Sequence, residues 1–392
     1  MKSKIFILLI VLLNFSSCSF REFKIHNASD IIPIELSALE EIDPFTSSNK
    51  YFNKYRLLRL ETKDDCLIKW IEKIVVDENY LFIKDSNHKL YVFDLITGHF
   101  LNSIGKIGTG PTELLTFVDF YIDSIEKAVF IYDMSKSKMF KYSYRGDLLE
   151  ILNCSNCQFS DFTNLTYVHG GDIILTMFNN SSVRYNYKVL DTGKYNLKGE
   201  YLPYCATGFF NLVFKDPKVA CNKTDCYAVT YLSDTVYQYT SKDSFCPKYI
   251  FNSSLKHVES NTFKEVNSFE IAFEAATLLK KKGFSPGILE LYATDELLYF
   301  PYYLGTDEYK IYWNIKKQKG YYTKNYINMD PVKCTDNIIA STNNALIRAI
   351  PSEELLNARD KYEYTSAEIE ILKKIKEEDN PVLVFYFTNN FQ

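Results

Sequence analysis

Two stretches of this chain repeat one pattern at a fixed interval. Leu81-Phe82-Ile83-Lys84-Asp85-Ser86-Asn87 leads into Leu90-Tyr91-Val92-Phe93 and stops at Gly98. Phe130-Ile131-Tyr132-Asp133-Met134-Ser135 leads into Met139-Phe140-Lys141-Tyr142 and stops at Gly146. Asp85 to Asp133 and Gly98 to Gly146 are both steps of 48 residues. Each copy reads as an apolar strand, an Asp-led turn, a second alternating strand and a glycine turn. A strand-only unit of that length cannot bury its apolar faces alone and must stack against further copies, which is the signature of a β-propeller blade.

Walking the chain extends the pattern. Ile71 to Val76, Tyr80 to Lys84, Leu90 to Leu95 and Phe100 to Ile104 make one blade, and Phe117 to about Leu152 the next. Looser copies follow at Asp172 to Leu190, Tyr227 to Tyr239, Leu297 to Ile315 and Ile338 to Phe387. Two segments break the β pattern. Phe263 to Lys282 sets Phe269, Ala272, Phe273, Ala276 and Leu279 at helical spacing, and Ser352 to Glu378 sets Ile369, Leu372 and Ile375 on one face. Subtracting these and the leader leaves roughly 310 residues, which at about 48 per copy gives six blades. The predicted fold is therefore all-β, a six-bladed β-propeller with helical insertions at about 259–282 and 352–379. Tyr55 to Thr62 reads as a strand, and Pro381 to Phe387 falls in the closing blade beside an N-terminal strand, so that the ring leaves no exposed sheet edge. Ile31 to Leu36 reads as an edge strand.

Composition agrees. Aromatics reach 16%, with 31 Tyr and 29 Phe against 2 Trp, and aromatics favour pleated, half-buried surfaces. The net charge of −4 comes without a polybasic stretch, which argues against nucleic acid as a partner.

The N-terminus is a targeting segment rather than structure. Lys2 and Lys4 precede the apolar run Ile5 to Leu13, followed by Phe15-Ser16-Ser17-Cys18. This resembles a bacterial lipoprotein signal, with residues 1–17 as signal peptide, Cys18 as the lipidated residue, 18–30 as anchor and linker, and 31–392 as the propeller. The resemblance implies a product tethered to the outer membrane by lipid and not spanning it. Ser19 to Lys24 lack an acidic surface-export run, which favours the periplasmic side over the cell surface.

Export implies oxidising conditions. Eight further cysteines remain, Cys66, Cys154, Cys157, Cys205, Cys221, Cys226, Cys246 and Cys334. Cys221 and Cys226 flank the polar tip Asn222 to Asp225 and form a candidate disulfide across a hairpin. The alternative joins Cys154-x2-Cys157 and Cys221-x4-Cys226 as one zinc site.

Several landmarks resemble the six-bladed β-propeller lipoproteins of Bacteroidetes, relatives of the NHL-type propellers. They are Leu57 to Thr62 with Asp65 and Ile68, then Gly105-Lys106-Ile107-Gly108-Thr109-Gly110-Pro111-Thr112-Glu113, then Glu378-Asp379-Asn380-Pro381-Val382-Leu383-Val384. The resemblance implies a fold and a compartment and no particular activity. The Gly105 to Glu113 stretch passes between strands with Pro111 blocking a helix, so it reads as an inter-blade crossover and not a phosphate loop.

No constellation announces catalysis. His26, His88, His99, His169 and His257 are scattered. Asp85, Asp133 and Asp234 stand at blade-internal turns, where Asp caps turns. Tyr302, Tyr303, Tyr321 and Tyr322, with Tyr201 and Tyr204, are candidate binding aromatics if alternation turns some rings outward. The expected function is a non-enzymatic ligand-binding or protein-interaction scaffold of the cell envelope, with an envelope protein or a glycan or peptide ligand as partner. No cofactor is expected on that reading. The alternative is a lactonase-like propeller hydrolase or lyase with calcium or zinc at the central channel, argued from fold analogy.

Overall fold

The computed structural model describes residues 30–42, 52, 54–154, 159–168, 170–178, 183–204, 219–240, 244–253, 285–305, 307–324, 330–335 and 337–388, and positions 273, 274, 277 and 281. Cys18, Cys157 and Cys205 lie outside them, as do His26, His169 and His257.

Three N-terminal strands come first, β1 (Ile32–Glu35), β2 (Glu40–Glu41) and β3 (Lys54–Arg59). Blade 1 follows as β4 (Ile71–Asp77), β5 (Tyr80–Asp85), β6 (Leu90–Asp94) and β7 (Phe100–Ile104). Blade 2 is β8 (Phe117–Asp123), β9 (Ala128–Asp133), β10 (Lys138–Ser143) and β11 (Leu148–Asn153). Blade 3 is β12 (Phe162–Val168), β13 (Asp172–Met177), β14 (Tyr185–Asp191) and β15 (Leu197–Pro203). Blade 4 is β16 (Val219–Cys221), β17 (Cys226–Ala228), β18 (Thr235–Thr240) and β19 (Ser244–Asn252). Blade 5 is β20 (Tyr292–Ala293), β21 (Leu297–Leu304), β22 (Asp307–Asn314) and β23 (Lys319–Lys324). Blade 6 is β24 (Ile338–Ser341), β25 (Ala345–Ile350) and β26 (Val382–Phe387), completed by β3. The sheets are antiparallel meanders and there are six of them, as the repeat predicts.

The N-terminal strands run round the outside of half the ring. β1 adds parallel to β19 with Ile34 opposite Phe251, and β2 adds parallel to β23 with Glu41 opposite Tyr322. β3 then pairs antiparallel with β26, Leu58 opposite Leu383, joining the two ends of the chain in one blade. Covering an edge in this way removes a row of unpaired backbone groups.

Both faces of a blade are buried, because each sheet packs between two neighbours. Leu81 to Asp85 and all of β9 are buried without a break. Continuous apolar runs are what a doubly covered strand requires.

The glycines ending the repeat have a local cause. Gly98 has φ +74°, and a Cβ there would overlap the carbonyl oxygen of Arg59 in the neighbouring blade. A side chain at this left-handed turn has neither the conformation nor the room.

Ser352 to Glu378 forms two short helices rather than one stretch, α1 (Ser352–Ala358) and α2 (Ser366–Leu372), set between β25 and β26. Thr365 and Glu368 form a capping box that starts α2 afresh. Leu372 and Ile375 are buried, whereas Ile369 is exposed. Glu368 also accepts a hydrogen bond from Tyr55 Oη at 2.5 Å, fastening α2 to β3. Of Phe263 to Lys282, positions 273, 274, 277 and 281 are helical, and the rest lies outside the described residues.

Candidate functional site

In each meander the crossover into the inner strand and the turn between second and third strands open on one face. The turns between first and second strands open on the other. The second face has short connections, Glu78-Asn79 in blade 1 and Asn222 to Asp225 in blade 4. The crossover face takes the long connection 351–381, and the chain also leaves β15 at Tyr204 and β19 at Ser253 on this face.

At the crossover face the inner strands share a distortion. The register slips around Glu72 in β4, Val118 in β8, Thr163 in β12 and Ile339 in β24, so each carries an extra residue at its second position. Bulges of this kind re-aim side chains. Beyond the bulge, Lys73 Nζ donates to Asp119 Oδ2, to the carbonyl of Phe120 and to that of Leu165, each at 2.7 Å. Asp119 Oδ2 also accepts the Leu165 amide at 2.6 Å. One ammonium from blade 1 thus ties the inner strands of blades 2 and 3, with all three donors used. Burial lowers the Lys73 pKa, Asp119 partly restores it, and Lys84 adds to the lowering.

Lys84, directly across the ladder from Lys73, is used differently. Its side chain is 8% exposed and pairs with Glu72 Oε2 at 2.6 Å, with Nζ 5.4 Å from the centre of the Phe117 ring. Among the described residues its other two N–H donors meet no acceptor. Glu72 stays exposed.

Trp70 leads into β4. Its carbonyl accepts the Ser86 amide at 2.9 Å, as Thr116 accepts Met134 in blade 2 and Asp161 accepts Phe178 in blade 3. This bond fixes the backbone at the head of each inner strand. The Trp70 side chain is 72% exposed, whereas Trp313 is buried. Leu67, Leu115 and Met134 are exposed on the same crossovers and turn.

The tyrosines correct the sequence reading. Tyr302 is buried and donates to Asp234 Oδ2 at 2.9 Å, between blades 5 and 4. Tyr321 and Tyr322 are half-buried because β2 lies along β23, with Tyr322 Oη on Glu41 at 3.1 Å. Tyr204 is buried on the Met177 carbonyl at 2.7 Å, and Tyr201 packs on Phe245. Tyr303 alone of the four candidates is exposed, its hydroxyl on Glu308 at 2.9 Å. Strict alternation fails to expose rings because both faces of a blade are covered. The hydroxyls instead fasten connections. Tyr91 donates to the Leu67 carbonyl at 3.0 Å, Tyr132 to Phe159 at 3.2 Å and Tyr386 to Val332 at 2.8 Å. A buried tyrosine fills a blade interface and satisfies its hydroxyl at once.

The remaining candidates are structural. Asp85 Oδ1 caps its turn through the Asn87 and Lys89 amides, and Asp133 holds the amides of Leu115, Thr116 and Lys136. His88 and His99 are exposed turn residues. Cys221 and Cys226 face each other across the hairpin and are joined by a disulfide, Cα atoms 4.0 Å apart. Cys66, Cys154, Cys246 and Cys334 form no disulfide with one another among the described residues. Among the described residues no three His, Cys, Asp or Glu side chains gather as metal ligands. In the Gly105 to Glu113 crossover the glycines make room for the chain's own Glu113, whose carboxylate accepts the Gly110 amide at 2.9 Å and pairs with Lys106 at 2.6 Å.

The family model for a domain of unknown function, DUF4934, matches residues 30–387. The chain belongs to the DUF4934 family. No curated protein sequence matches it. Among solved structures, a DUF4934 chain of this kind is similar to a Bacteroides fragilis protein named as an exported protein, with 19% identity and a TM-score of 0.69, covering 91% of this chain and 98% of that one. It is also similar to a DUF4221 family member from Bacteroides vulgatus, with 12% identity and a TM-score of 0.53, covering 85% and 96%. These likenesses bear out the six-bladed β-propeller fold, which both Bacteroides proteins share.

Proposed function

We propose that this DUF4934 propeller is a lipid-anchored protein of the cell envelope, held at the outer membrane through Cys18 on the periplasmic side. It captures an envelope protein or a glycan or peptide ligand on its crossover face and does not transform it. The observation that carries this reading is the asymmetry of the two faces. The 351–381 connection with its two helices and the exposed Trp70, Leu115 and Met134 share one face, and a rigid ring presenting varied loops suits capture. The channel-side charges of Lys73 and Asp119 are consumed in joining blades, and the turn carboxylates cap backbone amides. The leader sequence supports export, as does the name of the Bacteroides fragilis relative. No helix of the described residues is long and apolar enough to cross a membrane.

The test is capture from native envelopes with the full chain and two face variants. Leu115→Arg alters the crossover face and Ile125→Arg the opposite one, and both positions are exposed. Loss of the same co-purifying partner with Leu115→Arg alone supports the reading, and equal retention by both variants sinks it. Palmitate labelling that survives Cys18→Ala removes the anchor.

A further inference from the structure

Three features stand at the head of blade 1. The indole of Trp70 is 72% exposed in a molecule whose tyrosines are largely drawn inward. Two residues on, the bulge in β4 leaves Glu72 exposed. Beneath it stands the buried ammonium of Lys84, with one donor on Glu72 and two without an acceptor among the described residues. Glu72 holds this ammonium on one side and the Phe117 ring lies 5.4 Å away on another, which leaves it able to donate to an incoming acceptor. The adjoining Lys73 uses all three donors on protein oxygens, so the donors left for a ligand are those of Lys84.

The charges select the ligand. Lys73 and Lys84 are matched by Asp119 and Glu72 in two ion pairs, so neither an anion nor a cation gains from entering. A hydroxyl group both donates and accepts. Neighbouring hydroxyls of a sugar can accept from Lys84 and donate to the free lone pairs of Glu72. The apolar C–H face of a pyranose ring stacks on an exposed indole, a large flat surface with an apolar body. We propose that the mouth between blades 1 and 2 binds a neutral saccharide, stacked on Trp70 and hydrogen-bonded by Lys84 and Glu72. This rests on the capture reading above and names its ligand class.

The test uses the purified full chain against an array of neutral, uronate-bearing and amino-sugar oligosaccharides. A neutral oligosaccharide should bind and protect Trp70 from acrylamide quenching, with buried Trp313 as the unquenched internal reference. Trp70→Ala should weaken binding at least tenfold without moving the unfolding midpoint, since the side chain is exposed. Glu72→Gln should weaken it several-fold, and Tyr303→Ala should leave it unchanged. Binding confined to charged oligosaccharides, no binding at millimolar concentrations, or wild-type affinity in Trp70→Ala overturns the proposal. If the array is silent while Leu115→Arg still abolishes partner capture, the saccharide site fails and the scaffold reading stands. If a bound oligosaccharide is cleaved, the site stands and the non-enzymatic reading fails.

Discussion

The side-chain carbonyl of Asn380 accepts the backbone amide of Ile68 at 2.8 Å, joining the lead-in to the last strand to the crossover into blade 1. The Asn380 amide donates to the carbonyls of Glu61 and Cys66 at 2.8 and 2.9 Å. Its side chain is buried. Two sequence landmarks more than 300 residues apart are thus one object. Asn380 locks the crossover where the ring closes.

Asn380→Ala removes all three bonds and leaves a buried amide and two carbonyls short of partners. At about 1–3 kcal/mol for each group left unsatisfied, partly recovered by water, the expected loss is about 3–5 kcal/mol. Asn380→Asp keeps the acceptor for Ile68 but turns a carboxylate oxygen toward two carbonyls, so it should be at least as destabilising at neutral pH. Urea unfolding of the two variants checks both statements. A loss below about 1 kcal/mol for the alanine variant would show that closure does not depend on this residue.

The glycine crossover makes a claim about coupling. A Cβ on Gly108 would overlap the Glu113 carboxylate, so Gly108→Ala must displace it from the Gly110 amide and should lower the unfolding midpoint measurably. With Glu113→Ala already in place the obstacle is gone, and adding Gly108→Ala should lower the midpoint far less. Strict additivity in the double-mutant cycle would mean that the glycines serve something other than Glu113.

The blade interval and the closing strand were legible because they depend on local pattern. Asp85 and Asp133 cap equivalent turns, and Gly98 tolerates no side chain, so chemistry repeats wherever the backbone does. Blade 4 was harder to read, since β16 and β17 are short and little alternation survives in them. The tyrosines misled because alternation reports two faces of a strand, not which faces a neighbour covers. Tyr302 and Tyr321 face a blade and an N-terminal strand that only the tertiary fold supplies. Trp70 carried no motif, and its exposure follows from the crossover's path. The pairing of Lys73 with Asp119 did leave a signal. The two stand 46 residues apart at equivalent places in consecutive inner strands.

That pairing predicts an asymmetry between single and double substitution. Lys73→Met strips Asp119 of its counter-charge and leaves the Phe120 and Leu165 carbonyls without a donor. Removing one partner of a buried pair costs about 3–5 kcal/mol. Adding Asp119→Asn neutralises the stranded charge while its side-chain oxygen can still accept the Leu165 amide, so the double variant should be more stable than Lys73→Met alone. Denaturant midpoints of the three proteins decide it. A double variant less stable than Lys73→Met would show that the charge on Asp119 is held by other partners.

Burial by itself would raise the Asp379 carboxyl, but hydrogen bonds from Arg59 and the Lys376 amide outweigh it and hold the group below the usual carboxylate range. Arg59 Nη2 lies 2.8 Å from Asp379 Oδ2, between the end of β3 and the chain just before Asn380. The unfolded group titrates near about 3.9. Because the folded pKa lies lower, the charged form is favoured by folding, and the stabilisation is fully present above the unfolded value. It declines as pH falls through the folded value and is gone below it. Arg59 is about a third exposed, so screening keeps the contribution near about 1 kcal/mol. Asp379→Asn lacks this dependence. The stability difference between wild type and variant should be constant from neutral pH to about 5, shrink below about 4, and narrow further at high salt. Unfolding curves at pH 7, 5, 4 and 3 measure it, and a gap that widens on acidification would mean that Asp379 is held protonated in the fold.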